Sequence, residues 1–206
     1  MAEPAWWRRW RTWRTTLVVL ALLAALAAAG GVGASLLFAE IPSKGPDPKS
    51  VTCWDGEERT DPDDCGQPRG VRGLRWVFPS FRPADVGCRN VLAEHPTFQG
   101  PTMWACDVEI AGSPVLITYS ELTEVAESIA YLERNYSGAK RQVVKGDNGA
   151  PVRYEWRRRF DDGYVLIAVY VDHPFAVEVR AEDEVLREDA LATVVRFRAP
   201  SAISYR

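Results

Sequence analysis

The sequence of 206 residues predicts an α+β protein: one N-terminal transmembrane helix, then a mostly antiparallel sheet with two packed helices in two layers, stapled by disulfides. Three observations support this prediction. Residues 15–39 are apolar and uncharged, all four cysteines follow them, and the remaining chain shows strand-like and helix-like apolar spacing in turn. The contents of 47% hydrophobic and 26% charged residues are typical of a folded chain, so a core can be buried.

Residues 1–14 form a short basic arm that is rich in tryptophan. Indole rings and arginines at near-helical spacing are typical of side chains at the lipid headgroup level. These membrane-interface residues are Trp6, Trp7, Arg8, Arg9, Trp10, Arg11, Trp13 and Arg14. Because the arginines precede the apolar stretch and Glu40 follows it, the positive-inside rule predicts a cytoplasmic arm and a C-terminal domain outside the cytoplasmic membrane.

Residues 15–39 are predicted to cross the lipid bilayer once. A helix over this range would rise roughly 37 Å, which exceeds a hydrocarbon core of about 30 Å. Small residues along the span leave open a homodimer through this helix. Cleavage of a signal peptide before Ser35 is the alternative, and it would release a secreted domain. Apolar residues that continue through Phe38 favour an uncleaved signal anchor.

Residues 40–52 are predicted to be a linker, because they contain several prolines and a glycine, and residues 53–206 to be one extracytoplasmic domain. Residues 1–39 contain four arginines and one glutamate, so the chain after them carries a formal charge of −6. This acidic balance argues against nucleic acid as a partner. Six acidic residues crowd the range 55–64, but their spacing does not fit an EF-hand loop, and a solvated acidic loop is favoured over a calcium site.

The cysteines predict disulfides, because an even number of them lies on the oxidising side of the membrane. Four cysteines allow three connectivities. Closure of short loops favours Cys53 with Cys65 and Cys88 with Cys106. No C-x-x-C pair is present, so a zinc site is not predicted.

The first half of the domain is predicted to contain strands followed by a helix. Residues 74–78 are expected to form a strand, and residues 103–110 and 115–119 a hairpin. From residue 120 onward the apolar residues recur at helical spacing, and Gly138 provides a stop after Tyr136.

The second half is predicted to be a strand, an antiparallel meander and a closing helix. Asp162-Gly163 is a strong signal for a tight hairpin turn inside the meander. Asp183 is a candidate N-cap for the closing helix. The predicted elements are strands at 140–145, 152–160, 164–171 and 175–181, and a helix at 184–196.

A helix, a meander with an aspartate-glycine turn and a closing helix that ends near residues 197–200 together resemble the Mog1/PsbP-like fold, over roughly residues 74–200. The strings Cys53-Trp54-Asp55-Gly56 and Leu74-Arg75-Trp76-Val77-Phe78-Pro79-Ser80 are also similar to uncharacterised membrane-anchored proteins of high-GC (actinobacterial-type) bacteria. These resemblances imply binding or assembly roles rather than chemistry.

One strand offers a possible ligand face. Alternation along residues 152–160 places Trp156, Arg158 and Phe160 on one side of the strand. Arg158 could hold an anionic ligand there, or simply cover an exposed sheet surface. No catalytic motif is found, because both histidines, His95 and His173, precede prolines and no nucleophile elbow is present. No catalytic residue, cofactor or metal is therefore predicted.

Together these features predict a single-pass, membrane-anchored extracytoplasmic binding or assembly module of the cell envelope. Its expected partners are the lipid bilayer and an envelope protein or other envelope component. The alternative is a carboxylate-dependent envelope hydrolase. That enzyme would need a deep pocket that brings two acids together and raises the pKa of one of them.

Overall fold

The computed structural model describes residues 50–85, 87–98 and 100–204. The predicted arm and membrane span, and all but the last three residues of the predicted linker, lie outside these residues. Within the described ranges, no helix has the length and apolar character needed to cross a bilayer.

The domain is built on a seven-stranded antiparallel sheet. A separate two-stranded sheet, β1 (Val51–Thr52) with β2 (Glu58–Arg59), precedes it. In chain order, the strands of the main sheet are β3 (Cys88–Asn90), β4 (Thr102–Ile110), β5 (Ser113–Glu121), β6 (Gln142–Lys145), β7 (Pro151–Phe160), β8 (Gly163–Tyr170) and β9 (Phe175–Ala181). In space they follow the order β3-β4-β5-β9-β8-β7-β6.

Three α-helices pack on this sheet: α1 (Gly70–Val77), α2 (Val125–Asn135) and α3 (Glu184–Asp189), which continues as a π-helical turn over Ala190–Val194. Short 3-10 turns occur at Pro62–Cys65, Leu92–Glu94 and Pro200–Ala202. The Asp183 carboxylate accepts a hydrogen bond from the Leu186 backbone N–H at 2.8 Å. The predicted N-cap of the closing helix is thereby confirmed.

The predicted hairpin, the helix after it and the antiparallel meander are confirmed. β4 and β5 pair antiparallel around a tight turn at Ala111 and Gly112. β7, β8 and β9 pair in sequence. The turn predicted at Asp162-Gly163 lies one residue earlier, at Asp161 and Asp162, and Gly163 begins β8. The α+β class is thus observed, with one large antiparallel sheet.

The strand predicted at residues 74–78 is wrong, because this segment lies in α1 and its C-cap. Leu74, Val77 and Phe78 are all fully buried, at the spacing of one helix face. The segment has only five residues, and its apolar side chains at positions 74, 76 and 78 also fit the alternation of a strand. A string this short does not distinguish the two periods.

The two-layer arrangement is also wrong, because helices cover both faces of the sheet. Side chains along β8 alternate between two cores: Leu166, Ala168 and Tyr170 enter one, and Val165, Ile167 and Val169 enter the other. α1 and α3 contribute to the first core, on what we call the front face, and α2 contributes Leu132 to the second, on the back face. The domain therefore has three layers.

The disulfides are Cys53–Cys65 and Cys88–Cys106, and they account for all four cysteines. The pairing predicted from short loop closure is confirmed. The first bridge closes the segment around β1 and β2, and the second joins directly opposite residues of β3 and β4. The Trp54 backbone N–H donates to the Ser204 carbonyl, so the first disulfide loop contacts the end of the described chain.

Candidate binding site

The predicted ligand face lies on the back of the sheet, where α2 ends. The structure separates its three residues. Trp156 is only 1% exposed and packs in the back core under α2, whereas Arg158 is exposed and Phe160 is half-buried. The guanidinium carbon of Arg158 lies 4.6 Å from the centroid of the Phe160 ring. Only Arg158 and Phe160 therefore form a surface that a ligand could contact.

Two further residues complete this surface. Arg158 is paired in register with Val165 of β8, and Val165 is paired with Arg180 of β9, so both arginines project from the back face. The guanidinium carbon of Arg180 lies 5.9 Å from the Phe160 centroid, and the Tyr136 ring meets Phe160 edge-on at 6.2 Å. We call Tyr136, Arg158, Phe160 and Arg180 the arginine–aromatic cluster.

Arg180 has hydrogen-bond donors that lack a close acceptor among the described residues. Arg180 forms ion pairs with Asp162 and Glu178 at 3.6 Å each, which is longer than a normal hydrogen bond. Its buried Nε has no hydrogen-bond partner among the described residues, and 43% of the side chain is exposed. Because these ion pairs are long, the exposed terminal nitrogens of Arg180 can still donate to an anion.

Arg158 also stabilises the C-terminal end of α2. One of its terminal nitrogens donates to the carbonyl oxygen of Asn135, the last residue of α2. Carbonyls at helix C-termini lack intrahelical partners, so this bond stabilises the end of α2. It also holds the guanidinium of this exposed residue beside the rings of Tyr136 and Phe160.

The charges around the cluster affect two other groups. Burial raises the pKa of the Tyr136 hydroxyl, and the neighbouring charge of Glu178 raises it further, so this hydroxyl stays protonated and can donate. Burial likewise raises the pKa of Glu178, whereas Arg180 and His95 act in the opposite direction. The groups that act on the Glu178 carboxylate are thus basic side chains.

A cavity of about 350 Å³ opens beside the cluster, between the end of α2 and β7. Its size is at the lower end of the range for small-molecule pockets. It is lined by Asn135, Ser137, Gly138, Ala139, Arg157, Arg158 and Arg159. Three arginines of β7 and the residues around the end of α2 thus surround this space.

Arg157 points to the front face and belongs to a separate ion-pair network. It bonds to Glu155, which is 3% exposed, and to Glu188 of α3 at 2.9 Å. Arg187, which is 1% exposed, also pairs with Glu188. These charges satisfy one another and attach α3 to β7, so we assign the network to the scaffold.

The acidic loop at residues 55–64 is held by local contacts. The carboxylates of Asp55 and Asp61 each accept a hydrogen bond from the backbone N–H two residues later, and Glu57 pairs with Arg59. Within the described part of the chain, no group of three or more His, Cys, Asp or Glu residues is arranged to hold a metal ion.

The chain matches no protein-family model, no curated protein and no solved structure. The site is therefore interpreted from its own geometry. Alternation along one strand was enough to predict Arg158 and Phe160 together, and it also placed Trp156 with them. Tyr136 and Arg180 were missed, because their positions depend on where α2 ends and on the pairing of β7, β8 and β9.

Proposed function

We propose that this protein is a single-pass, membrane-anchored extracytoplasmic binding module of the cell envelope, and that the arginine–aromatic cluster holds an anionic group of its ligand. The observation that carries the proposal is the position of two arginines against one ring. Arg158 and Arg180, from strands separated by β8, both lie within 6 Å of the Phe160 centroid.

The chemistry of the cluster favours carboxylate or phosphate. A guanidinium presents a planar set of donors that matches both groups, and its attraction to an aromatic ring does not consume those donors. Stacking on Phe160 also fixes the side chains before the ligand arrives, which reduces the entropy lost on binding. Tyr136 contributes a protonated hydroxyl at the side of the cluster.

The proposed location is supported by residues 1–39 and by the cysteines. A basic arm before an uncharged apolar stretch favours an N-terminus inside and a domain outside. Two disulfides favour an oxidising compartment.

Thiol labelling of intact cells with a membrane-impermeant reagent tests the location. Labelling of the membrane fraction only after reduction, with the N-terminus of the chain retained, would support the anchored outer domain. Labelling only after lysis would overturn it. A new N-terminus near Ser35 on released protein would replace the anchored module with the secreted domain.

Binding of poly-L-glutamate and of inorganic phosphate, measured by calorimetry and amide chemical shifts, tests the site. We expect Arg180→Gln to weaken binding about tenfold, since a hydrogen bond to a charged group contributes about 1.5–3 kcal/mol. Arg89→Gln is the matched control. Arg89 projects from the same face at the far edge of the sheet and pairs with Asp107 at 2.7 Å. Equal affinities of the two variants would refute the site.

A further inference from the structure

Strand β7 has an open edge next to the cavity. It contains ten residues, but its neighbour β6 contains four, and their pairing stops at Gln142 with Glu155. The remaining residues, from Trp156 to Phe160, pair only with β8. The sheet therefore continues on one side of this segment and stops on the other.

The backbone along this edge retains unused hydrogen-bonding groups. Apart from the ladder with β8, no backbone group of residues 156–160 bonds to another described residue. In an antiparallel ladder, alternate residues direct their N–H and C=O groups to opposite sides, so part of this segment presents both groups to the open side. The cavity lies along that side, between residues 157–159 and residues 137–139.

We propose that this edge binds an extended acidic peptide, which adds to the sheet as a new strand beside Trp156–Phe160. Addition of a strand satisfies the free backbone groups, and flanking side chains then select the sequence. The inference rests on the proposed function, because Arg158 belongs to the same site. It adds the class of partner: an acidic segment of another protein.

Charge identifies the occupant. Arg158 lies on the back side of the edge and Arg159 on the front side, where its guanidinium carbon is 5.6 Å from the centroid of Tyr164. Neither Arg159 nor the exposed Lys140 forms an ion pair with another described residue. Opposite charges on neighbouring strands attract, and successive residues of a strand point to opposite faces, so acidic residues at successive peptide positions would face Arg158 on one side and Arg159 on the other.

The same charges exclude two other occupants. A second copy of β7 would place arginine opposite arginine, which is destabilising. Charged side chains on edge strands also discourage addition of apolar strands. The arginines therefore leave an acidic strand as the complementary partner.

Strand addition can be tested with a capped peptide that carries acidic residues at successive positions and is N-methylated at one alternate set of positions or at the other. Only the residues that donate to β7 need their N–H groups. We expect methylation of one set to weaken binding about tenfold or more, and methylation of the other set to leave the affinity within about twofold. Amide exchange of Arg157 and Arg159, whose N–H groups face the open side, should slow when the unmethylated peptide binds.

Arg159→Gln should weaken peptide binding several-fold, and Arg75→Gln on the exposed surface of α1 is its control. Equal binding of both methylated peptides, or unchanged exchange at Arg157 and Arg159, would overturn strand addition even if Arg180→Gln still weakens phosphate binding. If Arg180→Gln leaves phosphate binding unchanged, the anion site is refuted. The comparison of the two methylated peptides then decides by itself whether a strand adds to β7. Self-association through β7 without peptide would assign the edge to a second copy and overturn the proposal.

Discussion

The carboxylate of Glu121 at the end of β5 accepts a hydrogen bond from the backbone N–H of Gly70 at 2.7 Å. Gly70 begins α1, and the two residues are 51 positions apart. Amide groups in the first turn of a helix lack intrahelical partners, and a negative charge there is favourable. Glu121 is 6% exposed, so the contact is shielded from water. The main sheet thereby caps the helix that covers its front face.

We expect Glu121→Ala to lower the free energy of unfolding by about 1–3 kcal/mol, because it leaves a helix N-terminus without its acceptor. Urea unfolding monitored by circular dichroism measures this loss. Glu127→Ala is a suitable control, since Glu127 is exposed on α2 and should change stability by less than about 0.5 kcal/mol. Similar losses in both variants would show that the hydrogen bond contributes nothing.

This contact also shows why α1 was mispredicted. The apolar residues at 74, 76 and 78 fit a strand, and the carboxylate that caps the helix is far away in the sequence. In contrast, α2 and β7–β9 have longer periodic patterns and clear turn signals, so they could be predicted from local sequence. The covering of both sheet faces depends on long-range packing, which the pattern of each segment does not specify.

The candidate site was partly predictable for the same reason. Two-residue alternation identifies which side chains of β7 share a face, and Arg158 with Phe160 follows from it. It does not say which part of that face a helix will cover. α2 covers Trp156 and ends beside Arg158, so one predicted residue belongs to the core and another to the surface.

Trp156 and Arg158 should therefore respond differently to substitution. We expect Trp156→Ala to cost about 3–5 kcal/mol of stability, because it leaves a large cavity in the back core. Arg158→Gln should cost about 1 kcal/mol, through the lost bond to Asn135, and should weaken anion binding. Denaturant unfolding and phosphate titration of each variant separate the two effects. Unimpaired stability of Trp156→Ala would contradict the assignment of this residue to the core.

His173 should make the stability of the domain depend on pH. Its Nε2 lies 3.2 Å from the Pro200 carbonyl oxygen, which requires the proton on Nε2, and its buried Nδ1 has no partner among the described residues. Burial lowers the pKa of His173, although the Pro200 carbonyl and Asp172 oppose this effect. The unfolded chain therefore takes up a proton at a higher pH than the folded chain does.

The neutral form of His173 should contribute its full stabilisation to the folded state above pH 6.5, which is about the pKa of histidine in the unfolded chain. This contribution should be lost as the pH falls through the lower pKa of His173 in the folded chain. We expect His173→Gln to flatten the stability profile between about pH 7 and pH 5. His95→Gln is the control, since His95 is the other histidine and is exposed. A profile that His173→Gln leaves unchanged would show that another group causes the pH dependence.

The Cys53–Cys65 bridge should stabilise its own segment more than the main sheet. It closes a loop with a sequence separation of 12, and this segment contains only the two-residue strands β1 and β2 and one 3-10 turn. We expect Cys53→Ala with Cys65→Ala to lower the opening free energy of residues 53–65 by about 3 kcal/mol, through the gain in chain entropy of the open state. Amide exchange under native conditions measures this opening residue by residue.

Amides of β5, β8 and β9 should keep their protection in that double variant, because their partners lie within the main sheet. Cys88→Ala with Cys106→Ala is the comparison, since that bridge joins β3 to β4 within the main sheet. It should increase exchange along β3 and leave residues 53–65 protected. Loss of protection throughout the sheet after removal of the first bridge would mean that the disulfide loop and the sheet unfold as one cooperative unit.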